Sequence, residues 1–254
     1  MLNIKKVNVL KQLRVFMFYG ISAALLSMLT EVQAHTLWIN ATDFTPVLGE
    51  KSTSTNIFLG WGHDFPVQDF LKTSDMKDYY FVTPKGEKKT LVPVSQEGFL
   101  EAIMEYTKEG SYLVIANKRA YTREKVTRIA FAKAIINVDK GTGDVSSPVG
   151  QELEIVPLKN PGLLKTGDYI PVKILFNGKP LPYAGVLATY AGFSTDHASA
   201  YTVDADKEGV AQIRLIKDGD WKIELKHEIP DTLKDNVPES ETLRYISSLT
   251  FEAR

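Results

Sequence analysis

Short runs of alternating apolar and polar residues, each closed by a turn signal, restrict the fold of this chain more than any other feature. No stretch has the 3.6-residue periodicity of a long amphipathic helix, whereas alternation with period 2 is typical of half-buried β-strands. Pro84 and Gly86 mark one turn, and Asn177 followed by Gly178 is a strong hairpin signal. The predicted strands are 36–39, 53–59, 78–82, 91–94, 99–107, 112–117, 126–138 (as one strand or two), 152–156, 169–176, 186–190, 210–215, 221–225 and 243–251. The sequence therefore predicts an all-β protein.

The spacing of these strands predicts two immunoglobulin-like, Greek-key β-sandwich domains. The second half carries about seven short strands with a turn signal about every 8–12 residues, which is the density of such a sandwich. Residues 141–149 are small, polar and rich in glycine and proline, so we interpret them as a linker. The linker would separate an N-terminal domain, 35–140, from a C-terminal domain, 150–254. A fragment that starts at Val149 is then expected to fold alone.

The first 34 residues have the layout of a secretory signal peptide. Four basic residues precede a mostly apolar stretch, 15–29, and the small residues Val32 and Ala34 suit cleavage after Ala34. The apolar stretch is shorter than the roughly 20 residues that a membrane-spanning helix needs. We therefore expect a periplasmic protein whose mature form does not span the membrane and begins at His35.

Charge and cysteine content exclude several classes of function. Lys and Arg number 30 and Asp and Glu number 31, so the chain has no strong basic field that would attract nucleic acid. Four of the basic residues and one acidic residue lie in the predicted signal peptide, which leaves a mature net charge of −4. The absence of cysteine excludes disulfides, a thiolate metal site and a cysteine nucleophile. Any metal ion must be held by histidine, carboxylate, carbonyl or amine groups.

His35 is the first candidate metal ligand because cleavage after Ala34 would make it the first residue. Its free α-amino group, with an ordinary pKa near 8, and its Nδ1 atom could then chelate one ion together. One more histidine would complete a set of three nitrogen ligands, which suits Cu, Ni or Co. The alternative is a frayed chain end, the default for termini.

His63 is the second candidate, and it follows Gly60-Trp61-Gly62 and precedes Asp64 and Pro66. Glycines and a proline around one histidine predict a shaped loop, where functional residues often lie; the alternative is a tight turn in which the histidine bonds locally. Pairing of the strands 36–39 and 53–59 would bring His35 and His63 to one edge. Asp64 could be a further ligand or could orient His63.

His227 and His197 complete the candidate ligands. His227 lies at the end of a predicted strand, from where it could face the edge that holds His35 across the domain boundary, or be a partly exposed edge residue. His197 lies in a polar loop, where a solvated surface histidine is the alternative. We rank them third and last.

Sequence motifs of common enzymes are absent. The chain has no Gly-x-Ser-x-Gly, His-Glu-x-x-His, P-loop or dinucleotide-binding motif, and we do not expect an enzyme. One enzymatic alternative stays open, a copper monooxygenase that uses an N-terminal histidine brace. A metal-free carbohydrate-binding or adhesin sandwich, in which Trp38 and Trp61 would stack on sugar, is a further alternative.

Several of these pieces resemble the DUF4198 family, a periplasmic component family associated with nickel and cobalt uptake systems. The more specific pieces are the histidine after the signal peptide, His35, and the Gly-Trp-Gly-His-x-Phe-Pro stretch, 60–66. Further pieces are 82–86 and 110–112, and weaker ones in the second half are 177–181, 202–206 with Gly209, and 219–221. The resemblance implies a periplasmic, metal-related protein with two sandwiches. We therefore expect a protein that captures or delivers Ni²⁺ or Co²⁺, with Cu²⁺ as a further candidate ion, and that passes it to an inner-membrane transporter.

Overall fold

The computed structural model describes residues 35–49, 53–65, 71–96, 99–194, 198–232 and 240–254. The predicted signal peptide, residues 1–34, lies outside them. Residues 35–254 form one compact unit.

The described residues form seventeen β-strands. They are β1 (Thr36–Ala41), β2 (Ser54–Gly62), β3 (Met76–Val82), β4 (Lys88–Thr90), β5 (Val94–Gln96), β6 (Phe99–Glu105), β7 (Gly110–Lys118), β8 (Tyr121–Arg123), β9 (Val126–Val138), β10 (Leu153–Pro157), β11 (Tyr169–Phe176), β12 (Lys179–Pro180), β13 (Gly185–Tyr190), β14 (Tyr201–Asp204), β15 (Val210–Arg214), β16 (Gly219–Pro230) and β17 (Thr242–Ala253). Two single-turn 3-10 helices, Thr73–Asp75 and Pro161–Leu163, lie between strands. Among the described residues, no helix has the length and apolarity to cross a bilayer. The all-β prediction is confirmed.

The strands form three sheets. A central sheet of nine strands has the order β14-β13-β16-β17-β9-β7-β3-β4, and β8 pairs with β9. A four-stranded N-terminal sheet has the order β1-β2-β6-β5. A four-stranded C-terminal sheet contains β10, β11 and β12 in that order, and β15 pairs with β11. The N-terminal sheet packs on one face of the central sheet and the C-terminal sheet on the other, so the chain makes two β-sandwiches that share their middle layer.

The middle layer is continuous because the last strand pairs with a strand of the first half. Residues 242–250 of β17 run parallel to residues 126–134 of β9. The predicted boundary at 141–149 therefore does not separate two domains that each have their own sheets. The physical reason is that alternation defines each strand locally and carries no information about its long-range partner.

Alternation along the shared strands divides their side chains between the two sandwiches. Phe131 and Ile135 of β9 and Leu249 of β17 point into the C-terminal core. On the other face, Ser248 and Thr250 of β17 point toward the N-terminal sheet. Both strands are consequently covered on both faces, which explains the long apolar run at 126–138.

The outer edge of β1 rests on β17. Ser248 donates a hydrogen bond to the carbonyl of Leu37 at 2.6 Å, and Thr250 donates one to the carbonyl of Ile39 at 2.5 Å. These hydroxyls satisfy carbonyl groups that would otherwise be unpaired at a buried sheet edge. Leu37 and Ile39 are both 0% exposed, so the chain is buried two residues after His35.

The predicted linker is packed rather than free. Val145 is part of the C-terminal core. The carbonyl of Gly141 accepts hydrogen bonds from the Ser111 hydroxyl at 2.8 Å and from the Asn160 side-chain amide at 2.6 Å. The segment is tied to both halves of the chain.

A buried ion pair joins the two halves. Lys133 of β9 bonds to the carboxylate of Glu154 on β10, and both side chains are 1% exposed. Lys133 also donates to the carbonyl of Ile155 at 3.1 Å, and Glu154 accepts from the amides of Val149 and Gly150 at 2.7 and 3.0 Å. Burial lowers the pKa of Lys133, and the charge of Glu154 opposes that effect. Because the pair is fully buried, removing one partner would leave an uncompensated charge.

The local turn predictions agree with the structure. Asn177 and Gly178 have φ values of 50° and 73°, the positive pair that a tight hairpin requires, and they connect β11 to β12. The amide of Gly86, with φ of 83°, donates to the carbonyl of Thr83 at 2.8 Å.

Candidate functional site

Strand register brings His35 and His63 together. β1 pairs with β2 in antiparallel register, with Thr36 opposite Gly62 and Leu37 opposite Trp61. Continued by one residue, this register places His35 opposite His63, and opposite residues of an antiparallel pair have neighbouring side chains. Their ring centroids are 4.5 Å apart, with the ring planes at 90°. The predicted pairing of the two strands is confirmed.

Trp61 forms one wall of this site. Its ring lies 5.4 Å from that of His35 in an edge-on arrangement. This is expected because Trp61 is two residues before His63 and therefore lies on the same face of the sheet. Trp61 is 8% exposed, and both histidines are partly buried. The two imidazoles therefore lie at the rim of the N-terminal sheet against an apolar wall.

The Gly-Trp-Gly sequence belongs to a strand, not to the predicted loop. β2 continues through Gly62, and Gly60 lies opposite Trp38. A Cβ atom on Gly60 would lie 2.1 Å from Nε1 of Trp38, so this position needs glycine because the indole of Trp38 fills the space. An extension of β2 beyond the predicted strand 53–59, not a turn, thus carries the chain to His63.

A buried ion pair anchors the residues that follow His35. Lys222 of β16 lies 2.9 Å from Glu224, and its ammonium lies 4.7 Å from the ring of Trp38. Burial acts to raise the pKa of Glu224, but the charge of Lys222 and a hydrogen bond from Thr36 outweigh it and lower that pKa. Thr36 is 2% exposed. The start of β1 is therefore fixed on two sides, which argues against a frayed terminus at His35.

Asp64 lies beside a small cavity of about 10 Å³. His63, Phe65 and the Lys222–Glu224 pair also line this cavity. A role for Asp64 as a ligand or as an orienting group stays a prediction.

His227 does not join His35 and His63. On β16, Ile223 and Leu225 point into the C-terminal core, and His227 continues that face, with its ring 4.7 Å from the ring of Phe176. Glu224, on the opposite face, contacts Thr36. The suggestion that His227 faces the edge that holds His35 is therefore wrong. Successive residues of a strand point to opposite faces, and His227 points to the face that packs on the C-terminal sheet. Burial lowers the pKa of His227.

His197 lies outside the described residues. Within the described ranges, no group of three or more His, Cys, Asp or Glu side chains is arranged to hold a metal ion. Two imidazoles at 4.5 Å are an incomplete ligand set by themselves. They need a third donor to hold an ion.

The two tryptophans do not form an exposed platform. Trp38 is 0% and Trp61 8% exposed, because each packs inside the N-terminal sandwich or at its rim. The hypothesis that Trp38 and Trp61 stack on sugar as exposed rings is therefore wrong.

Sequence reasoning missed a group of cationic and aromatic residues beside Trp61. The ammonium of Lys118 lies 5.0 Å from the Trp61 ring and 4.5 Å from the Tyr121 ring. The guanidinium carbon of Arg128 lies 5.8 Å from the Tyr121 ring. No local motif marks these residues, since they come from three strands; only the cross-strand pairing of Tyr121 with Arg128 would have related two of them.

The fold and this site define a class: an all-β protein of two sandwiches that share a sheet, with one histidine just before its first strand beside another just after its second strand. The chain belongs to the family described as Domain of unknown function (DUF4198), which matches residues 32–229. The matched region begins just before His35 and includes His63.

Other comparisons give remote similarity. No curated protein matches the chain. Salmonella alpha-2-macroglobulin reacted with methylamine is 12% identical, with a TM-score of 0.27, over 85% of this chain and 15% of that one. The Escherichia coli adhesin FdeC is 16% identical, with a TM-score of 0.24, over 84% of this chain and 62% of that one. The D00-D0 domain of intimin is 13% identical, with a TM-score of 0.22, over 85% of this chain and 98% of that one. Similarity at this level says nothing about function.

Proposed function

We propose that this protein is a periplasmic metal-binding protein that holds a transition-metal ion at His35 and His63. The observation that carries the proposal is the 4.5 Å separation of the two imidazole rings. Imidazole nitrogen suits Ni²⁺, Co²⁺ and Cu²⁺, and the chain has no thiolate that would compete for the ion.

Cleavage after Ala34 would complete the ligand set. The new α-amino group and Nδ1 of His35 chelate one ion as a pair, and one nitrogen of His63 adds a third ligand. A four-coordinate ion would keep one position open for water or for an exchangeable ligand, which suits capture and release.

The anchoring of β1 supports this arrangement. Thr36 is held by Glu224, and Trp38 fills the space over Gly60. These contacts would hold His35 in position before an ion arrives, which would lower the ordering entropy that binding must overcome.

We propose that the protein serves metal uptake. A signal peptide, a mature net charge of −4 and the resemblance to a family associated with nickel and cobalt uptake favour Ni²⁺ or Co²⁺ and delivery to an inner-membrane transporter. The same three nitrogens would also hold Cu²⁺ in a histidine brace. Oxidation of an oligosaccharide by the copper-loaded protein with a reductant would favour the enzymatic alternative over capture.

Two measurements test the proposal. Mass spectrometry of the exported protein should find His35 as the first residue. Calorimetry on that form should then detect Ni²⁺ or Co²⁺ binding that His63→Ala weakens at least about tenfold, which is the lower bound reported even for losses around metal ligands. His227→Ala is the matched control, since that histidine lies on the other face of the central sheet, and it should bind as the wild type does.

Two results would contradict the proposal. If His35 is not the first residue, the amine ligand is lost. If His63→Ala binds the ion as tightly as His227→Ala, the two rings do not form the site. Because the ligands must be deprotonated, affinity should fall as pH drops below about 6.5, and a flat response from about pH 5 to 8 would indicate carboxylate ligands instead.

A further inference from the structure

A row of basic and aromatic side chains continues the surface on which His35 lies. The carbonyls of Leu37 and Ile39 bond to Ser248 and Thr250, so β1 advances in step with β17. If this correspondence between the two strands continues two residues before Leu37, His35 lies level with Ile246. The next outward row on that face of the central sheet contains Arg244.

Strand pairing extends this row across the sheet. Arg244 pairs with Arg128 of β9, and Arg128 pairs with Tyr121 of β8. Lys118, at the end of β7, sits against the rings of both Tyr121 and Trp61, and Trp61 contacts His35. We call Lys118, Tyr121 and Arg128 the basic strip; it adjoins the two histidines through Trp61.

Two cations of the basic strip lack a carboxylate partner among the described residues. Lys118 is partly buried, and burial lowers its pKa, which Asp75 opposes without forming an ion pair. The Nη1 atom of Arg128 donates to the carbonyls of Arg123 and Val126 at 2.9 and 3.1 Å, which are neutral acceptors. By contrast, Arg244 is paired with Glu228.

Positive charge without a paired carboxylate, beside a cation site, changes which form of the metal is favoured. It raises the free energy of a bare divalent cation at His35 and His63, and it lowers that of a negatively charged complex. Guanidinium and ammonium groups next to aromatic rings are also well suited to carboxylate oxygens. The strip therefore favours an anion that reaches the metal's open coordination position.

We infer that the basic strip is an anion-binding subsite and that the protein takes up its metal as a complex with a small polycarboxylate chelator. This inference rests on the proposed metal site at His35 and His63. The chelator's free carboxylate would bond to Lys118 and Arg128, while one of its other oxygens occupies the coordination position that the three nitrogens leave open.

Citrate is the probe, and Lys118→Met is the principal variant, since methionine keeps the apolar stem between the two rings. Calorimetry at low ionic strength compares three ligands on the exported protein: Ni²⁺ in a weakly coordinating buffer, citrate alone, and a 1:1 mixture of Ni²⁺ and citrate. Lys179→Met is the control variant. Lys179 is exposed at the start of β12, so this substitution removes the same charge far from the basic strip. Arg128→Gln is the second test variant.

Lys118→Met and Arg128→Gln should each weaken binding of the nickel–citrate complex about tenfold, the size expected for one charge-assisted hydrogen bond. Binding of Ni²⁺ without citrate should stay within about twofold or become tighter, and Lys179→Met should change neither. Added salt should reduce the difference between wild type and variants.

The outcomes separate the two proposals. If Ni²⁺ binds normally but the complex binds equally well to wild type, Lys118→Met and Lys179→Met, the anion subsite is overturned and the metal site stands. If Ni²⁺ fails to bind while citrate alone binds in a manner that depends on Lys118, the metal site fails and the anion subsite stands. Binding of neither citrate nor its complex overturns the subsite.

Discussion

Gly60→Ala tests the packing that positions the candidate site. The added Cβ atom would lie 2.1 Å from Nε1, 2.2 Å from Cε2 and 2.8 Å from Cδ1 of Trp38. Real Cβ atoms do not approach other atoms so closely, and Trp38 is 0% exposed, so the indole cannot move without displacing the groups that cover it. The variant must shift β1 relative to β2 or force the indole out of its rotamer.

The expected cost is about 2 kcal/mol, within the roughly 1–3 kcal/mol typical of overpacked cores. For a chain of this size, it corresponds to a fall in melting temperature of about 4–8 °C. Because Trp38 is three residues from His35, metal affinity should fall as well. Thermal unfolding followed by circular dichroism and calorimetry with Ni²⁺ are the two assays.

Gly185→Ala is the matched control. It lies at the start of β13, where an added Cβ would be 3.7 Å from Asp204 and make an ordinary contact, so its melting temperature should stay within about 2 °C of the wild type. In the double variant of Gly60→Ala and Trp38→Leu, the smaller side chain should remove most of the cost of the alanine, which is a non-additive result. Equal melting temperatures of Gly60→Ala and wild type would refute the reasoning.

Three further results are expected. Lys133→Met should lower the free energy of unfolding by about 3–5 kcal/mol, since it leaves Glu154 buried without its partner; replacing Glu154 by Leu as well should recover only part of the loss, since the amides of Val149 and Gly150 then lose their acceptor, and urea denaturation measures both. Burial lowers the pKa of His227, so the unfolded chain binds its proton more readily and stability should fall as pH drops below about 6.5; His227→Gln should flatten the dependence of melting temperature on pH between about 5 and 7. Residues 149–254 expressed alone should not give a cooperative unfolding transition, because β17 would lose β9 and Glu154 would lose Lys133; a sharp transition would show that the shared sheet is dispensable.

The candidate site could be predicted in part because its key step is local. Pairing two neighbouring strands, β1 and β2, is enough to bring His35 opposite His63. The placement of His227 could not be obtained in the same way. It depends on which face of β16 meets the N-terminal sheet, and a pattern of alternation does not say which of two buried faces meets which layer. The basic strip was equally inaccessible, since its residues come from separate strands.

The sequence by itself determined the all-β class and the hairpin at Asn177 and Gly178. Each rests on interactions within a few residues of the chain: alternation along a strand and positive φ at a turn. Only the tertiary structure decided that the halves share one sheet, that the segment 141–149 is packed, and that Trp38 lies over Gly60. These features depend on which of many similarly patterned strands associate. That choice follows from the packing of whole faces and buried charges such as Lys133 and Glu154, and no single stretch of sequence contains it.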